Sequence, residues 1–237
     1  MGTRIITQRR GRGGPRYQAP SHRFFGAIQY PKTESKLKGE IIDIVNCIGH
    51  TTPLILVRFE KDRFGLMPAH LGARKGQIIE AGPGATIKEG NIVKLKDIPT
   101  GTQIFNIERE PFDGGKIVRA SGTAAFVVAK AKDSVTLKMP SKKTVKFNPE
   151  CRATVGVIAG GGRTEKPLYK AGNKYKKFKA RGKLYPKVAG VAMNACDHPY
   201  GGTHRRTKGR PTTTKRSTPP GRKVGLVAAR RTGRGKK

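Results

Sequence analysis

The uneven spread of charge constrains this chain more than any motif does. From Lys166 to Lys237 there are twenty-two basic residues and a single acid, Asp197; from Met1 to Lys32 there are seven basic residues and no acid. Between Glu34 and Glu150 the balance is nineteen to thirteen, close to that of an ordinary globular domain. A chain of 237 residues with a formal net charge of +35 repels itself strongly and calls for a polyanion nearby. A near-neutral body between two cationic arms is the layout of a nucleic-acid binder.

Several classes are excluded early. Tryptophan is absent and aromatics are few, so stacking of bases on an aromatic platform is not the main mode of binding. Cys47, Cys151 and Cys196 are odd in number and far apart, which argues against a disulfide framework. The N-terminus has no apolar signal core and no run approaches ~18 apolar residues, so a soluble, cytoplasmic chain without a membrane partner is expected.

The near-neutral body reads as short strands. Ile41–Val45, Leu54–Phe59, Phe64–Met67, Gly76–Ala81 and Ile92–Lys96 are β-rich runs separated by turn residues, with a hairpin at Glu60–Arg63. Five such strands in about sixty residues suit a small closed barrel, of which the OB-fold is the commonest among nucleic-acid proteins. Gln103–Glu108, Ala124–Ala131, Ser134–Met139, Thr144–Asn148 and Arg152–Ile158 form a second set, an SH3-like barrel. In it Val135, Leu137 and Met139 face Val145 and Phe147 on the partner strand. The expected class is therefore mainly β, two small barrels with long extended basic arms. A basic N-terminal arm spans 1–33, the OB-fold-like barrel 34–91, the SH3-like barrel 92–165 and the C-terminal extension 166–237. Each barrel is near the lower limit for burying a core alone, so the two should pack together.

In the arms, RRGRGG interleaves Arg9, Arg10 and Arg12 with glycine, giving a backbone that follows a groove while guanidiniums reach phosphates. Tyr17, Phe24, Phe25 and Tyr30 give this extended arm something to dock. Gly160–Gly162 beside Arg163 offers backbone N–H groups to a phosphate, but without the Lys-Ser/Thr ending of a nucleotide loop. A short helix is expected around Lys174–Ala180, with Lys174, Lys176, Lys177 and Lys179 on most faces and Arg181 and Lys183 just beyond. A merely solvated helix would mix both signs, so these cations are assigned to RNA.

The stretch Gly190–Arg206, GVAMNACDHPYGGTHRR, stands apart. His198 sits between an acid and a proline, Gly201 and Gly202 allow close approach or a left-handed turn, and Asp197 is expected to hold His198 or Asn194. Cys47-x-x-His50 and Cys196-x-His198, with Cys151 and His204, resemble metal half-sites, but the pairs lack the joined spacing of a structural zinc site, so no metal is assigned. His198 beside Asp197 has the look of a base and its orienter. Adjacent residues seldom face each other, and no Ser or Cys nucleophile is identifiable, so no catalytic residue is assigned.

MNACDHPYGG, PPGRKVG at Pro219–Gly225 and RRTGRG at Arg230–Gly235 closely resemble the universal large-subunit ribosomal protein two family in its archaeal form. RRGRG at Arg9–Gly13, APSHR at Ala19–Arg23, CRATVGV at Cys151–Val157, GGGRTEKP at Gly160–Pro167 and KAGN at Lys170–Asn173 extend the match over essentially the whole chain. The resemblance implies an OB-fold followed by an SH3-like barrel, and a structural protein that binds large-subunit rRNA directly. It also implies contact with neighbouring large-subunit proteins, with small-subunit rRNA across an intersubunit bridge, and support of tRNA binding and of the peptidyl transferase centre. His198 would lie near that centre in a positioning role. His22, Arg23, Asn194, His198, Gly201, Gly202, Arg205, Arg206, Lys208, Arg210, Arg222, Lys223, Arg230 and Arg231 join the cations above as expected rRNA contacts. No cofactor is expected on the protein alone, with magnesium entering through bound rRNA. Two alternatives remain, an enzyme built on His198 and a general nucleic-acid-packing protein. Thin Gly-rich arms beside folded units favour folded RNA over duplex packing.

Overall fold

The computed structural model describes residues 2–32, 35–60, 63–203, 205, 207, 209 and 211–231. The chain divides into two compact units, one formed by Ser21–Pro167 and the other by Met1–Pro20 together with Leu168–Lys237. The class is mainly β, as expected.

The Ser21–Pro167 unit holds ten strands: β1 (Leu37–Val45), β2 (Leu54–Phe59), β3 (Arg63–Pro68), β4 (Ile78–Ala81), β5 (Ile92–Lys94), β6 (Gln103–Phe105), β7 (Ala125–Lys130), β8 (Val135–Lys138), β9 (Thr144–Phe147) and β10 (Arg152–Val155). They form one sheet in the order β3-β2-β1-β4-β5-β10-β6-β7-β8-β9. Every pairing is antiparallel except β4 with β5, which meet in parallel at Ala81 and Ile92. β1 alternates cleanly at its start, with Leu37, Gly39 and Ile41 buried and Lys38, Glu40 and Ile42 exposed, the period-2 signature of a half-buried strand.

Two cores lie along this sheet. Tyr30, Ile41, Ile55, Val57, Phe59, Met67, Ile79 and Ile92 anchor the first. Val93, Leu95, Ile98, Ile104, Ile107, Val127, Leu137 and Val155 anchor the second. Because successive residues of a strand point to opposite faces, Ile92 enters one core and Val93 the other. β5 is thus a wall shared by both cores. β10, last of the ten in sequence, lies between β5 and β6, and all four of its residues are buried.

Across β10, Glu108 and Arg152 form a buried ion pair, Arg152 Nη2 to Glu108 Oε1 at 2.7 Å, with side chains 0% and 3% exposed. The Arg152 amide also donates to Glu108 Oε2 at 2.8 Å, and Nη1 donates to the Pro31 carbonyl at 2.8 Å. Tyr30 hydroxyl lies 2.6 Å from both the Asn106 carbonyl and Thr154 Oγ1, and its burial pushes its pKa well above the ordinary value. These bonds correct the reading of 1–33 as one extended arm. Ile28 and Tyr30 are buried in the β unit and Phe24 packs beside Ile28, because apolar side chains at those positions find a core to enter. Nearer the terminus the arm is also not extended, since Ile6–Gly11 is helical.

Candidate nucleic-acid interface

The other unit is where the sequence placed most of its candidate contacts. It carries twenty-six basic residues and one acid, and among its described residues only Ile5, Tyr200 and Gly201 are buried. Helix α1 (Ile6–Gly11) starts where the Ile5 amide donates to Gln8 Oε1 at 3.2 Å and the Arg9 amide to the Ile5 carbonyl at 3.1 Å. It exposes Arg9 and Arg10 in its last turn, with Arg12 at its C-cap, the end where cations are favoured.

Helix α2 (Ala171–Lys179) begins three residues before the expected start. Asn173 Nδ2 donates to the Leu168 carbonyl at 3.0 Å ahead of it. Lys174, Lys176 and Lys179 are exposed and Lys177 is half-buried. With no acid in the helix, none of the i,i+4 ion pairs that usually neutralise such a surface can form. Phe178 stacks on Tyr185 at 5.6 Å between ring centroids, and Lys174 Nζ stands 5.2 Å from the Tyr185 ring. Arg181 and Lys183 come directly after it.

The Gly190–Gly202 stretch is folded back on itself. After a 3₁₀ turn at Gly190–Ala192, the Asp197 amide donates to the Asn194 carbonyl at 3.0 Å, Gly201 to His198 at 2.9 Å and Gly202 to Met193 at 3.1 Å. A Cβ on Gly201 would stand 2.3 Å from the Asn194 carbonyl oxygen, and Gly202 has φ +76°. The close approach that Gly201 permits is therefore to its own loop. Asp197 does not hold His198 or Asn194 but accepts from the Thr3 hydroxyl, while the Thr3 amide donates to the Cys196 carbonyl at 2.9 Å. The lone acid of the region ties in the N-terminal segment, a partnership across nearly the whole chain that no local spacing announces.

His198 is oriented by Tyr200, two residues on. Its Nδ1 accepts from the Tyr200 amide at 3.1 Å, and its ring meets the Tyr200 ring at 5.3 Å. Burial lowers its pKa, so it is neutral near pH 7, and acceptance at Nδ1 assigns the proton to Nε2. A Cβ on Gly190 would stand 2.3 Å from His198 Cε1, so only glycine leaves room for the imidazole there. A ring with its acceptor nitrogen occupied and a donor free is poorly arranged to abstract a proton. Farther on, Thr213–Thr214 (β11) pairs in parallel with Leu226–Val227 (β12), and Tyr200 lies against Gly225 between these segments. Sequence reasoning missed Thr3, Tyr200 and this pairing, since two-residue strands carry no hydropathy period.

Arg205, Arg222, Arg230 and Arg231 are exposed and Lys223 is half-buried in the same unit. Arg206, Lys208 and Arg210 lie outside the described residues. His22 and Arg23 are brought instead to a 3₁₀ turn of the β unit. Arg163 is also there, its Nε donating to Ser121 Oγ at 3.1 Å beside the glycine triplet. Among the described residues no three His, Cys, Asp or Glu side chains gather as metal ligands; Cys47 and Cys151 are buried and Cys196 is exposed. His204 lies outside them. No helix among the described residues is long and apolar enough to cross a membrane.

A mainly β body joined to a coreless cationic unit is the construction of a protein that binds a polyanion. The profile of the family described as "Ribosomal Proteins L2, C-terminal domain" matches residues 88–219. The chain is 50% identical to the large ribosomal subunit protein uL2 of Methanothermobacter thermautotrophicus, 49% to that of Halorubrum lacusprofundi and 48% to that of Methanopyrus kandleri, each comparison covering 99% of both chains. The chain belongs to the uL2 family of large-subunit ribosomal proteins, in its archaeal branch.

Proposed function

We propose that this chain is a structural protein of the large subunit of the cytoplasmic ribosome, not an enzyme, and that its coreless cationic unit is the surface that binds large-subunit rRNA. The observation that carries this is the pairing of family membership with a unit of twenty-six cations and one acid, whose acid is already engaged by Thr3. One acid cannot neutralise twenty-six cations, and phosphate supplies the counter-charge that the unit's composition lacks. Magnesium ions belong to the bound rRNA, whose phosphate oxygens suit a hard cation.

The two cores of the β unit correspond to an OB-fold-like barrel and an SH3-like barrel. The two separate apolar clusters support this reading, while His70 bridging to Ile158 and the Leu71 amide donating to Val157 at 2.8 Å tie one strand set to the other. These barrels meet RNA by shape and meet neighbouring large-subunit proteins. The cationic unit supports the peptidyl transferase centre and tRNA binding, and the chain contributes to a bridge with small-subunit rRNA. Within it the exposed cations of α1, α2 and the 205–231 segment contact phosphate, while Asn194, His198, Gly201 and Gly202 shape the loop that approaches the RNA.

The test is peptide-bond formation in single turnover, across pH, on subunits checked for occupancy by His198→Gln. A general base typically contributes ~10²- to 10⁴-fold, whereas one lost hydrogen bond is worth only about 0.5–1.5 kcal/mol. The expected result is a rate within about tenfold of wild type with an unchanged pH profile. A hundredfold loss together with a missing titration near neutrality would make His198 a catalytic base.

A further inference from the structure

We propose that the cavity beside His198 receives one unstacked nucleotide of the bound rRNA, its base against the apolar walls and its phosphate at Lys223. The proposal rests on the rRNA-binding reading above and assigns a subsite within it. The cavity measures about 320 Å³ and lies wholly within the cationic unit. Its walls are Ile5, Val188, Met193, Val224 and Val227, with His198 and Lys223 as its titratable lining. That volume stands at the lower end of the ~300–1,000 Å³ of small-molecule sites, a size for one nucleotide.

The chemistry selects the occupant. A base lifted out of its stack presents apolar faces and a polar edge, and holding it takes walls for the faces and a donor or acceptor for the edge. The walls here are aliphatic. The edge would meet His198 Nε2, which carries the proton because the opposite nitrogen accepts from the Tyr200 amide at 3.1 Å, and for which no partner stands among the described residues. Gly190 is what allows the ring to stand there, since a Cβ at that position would overlap Cε1. Lys223 supplies the cation, and no acid lines the cavity. An apolar side chain from a neighbouring protein would use neither the N–H nor the cation.

The test is short-wavelength photocrosslinking of the full chain to large-subunit rRNA, followed by mass spectrometry of nucleotide-bearing peptides. The expected result is a mononucleotide adduct on a lining residue of Met193–His198 or Lys223–Val227. In Val227→Trp, which puts an indole at the cavity wall, its yield should fall by about tenfold or more, the scale of losing one bound base. Binding of the rRNA should weaken by no more than about tenfold in that variant, since one nucleotide contact among many is lost. If Val227→Trp binds rRNA poorly, Val188→Trp obstructs the cavity from another wall and should give the same selective loss. A wild-type complex that forms normally without an adduct at the cavity, or an adduct undiminished in a variant that binds normally, overturns the subsite alone. A wild-type chain that fails to bind the rRNA overturns the functional reading as well.

Discussion

The two units solve opposite problems with the same chain. Ser21–Pro167 has twenty-four basic and fourteen acidic residues and closes ten strands over two apolar cores. The other unit has twenty-six basic residues and one acid, and its described part buries only Ile5, Tyr200 and Gly201. Burial of apolar surface is the main favourable term in folding, so the first unit has a source of stability that the second lacks. What order the second has comes from backbone closures such as Thr3 to Cys196, and from ring contacts such as Phe178 on Tyr185. Against so many like charges these interactions need a counter-charge. One unit is organised by its interior, and the other, on the function proposed above, by the rRNA it binds.

The sharpest way to break this contrast is to attack the interior of the β unit. Arg152→Leu leaves Glu108 buried without its partner and should cost about 3–5 kcal/mol in denaturant unfolding of the full chain. An effect below about 1 kcal/mol would mean that the unit does not depend on the joint between its cores.

Next in size, the four α2 lysines can be removed together as Lys174→Ala, Lys176→Ala, Lys177→Ala and Lys179→Ala. For every phosphate no longer neutralised, the dependence of log K for rRNA on log salt should flatten by ~0.7–0.9, with the unfolding of the β unit unchanged. An unchanged slope would place these cations in solvent.

Acid should act on the β unit more gently, in two stages. Burial lowers the pKa values of His50 and His70. Their folded values lie below their unfolded values, so their contribution is complete above about 6.5 and is lost as pH falls through the folded values. Glu80 is held at about 2, first by the Thr86 amide and then by Lys36, and Glu150 at about 2 by Lys94 and Lys96. Their contribution is present above the ordinary carboxylate range and disappears toward pH 2. Thermal melts at pH 7.5, 5.5 and 3.5 should show the β-unit transition falling at each step. His70→Asn should shrink the first fall.

The same contrast explains what the sequence made legible. In the β unit, β-rich runs separated by turn residues located all ten strands, and Leu54–Phe59 ended where it was expected to. β1 begins four residues early because Lys38 and Glu40 alternate with buried Leu37, Gly39 and Ile41, a pattern masked by two charges. β10 stops at Val155 because Gly156, at φ +111°, turns the chain out of the strand. Val145 and Phe147 share a face as expected, yet Val145 is exposed and Phe147 buried, since β9 is the edge strand and its start is left uncovered. In the cationic unit, the charge and the motif residues were legible and the contacts were not. Thr3 with Asp197, Tyr200 under Gly225 and β11 with β12 are polar or backbone meetings between segments far apart in sequence, and such meetings leave no periodic trace.

The most direct test of two differently organised units is hydrogen exchange of the full chain, free and bound to large-subunit rRNA. Peptides spanning β1, β2, β8 and β10 should be protected in both states, because their order depends on the two cores. Peptides covering 171–179, 190–202 and 213–227 should exchange at near-unfolded rates in the free chain and slow markedly on the RNA. Strong protection of those three segments without RNA would show that the cationic unit orders itself, and would contradict the account.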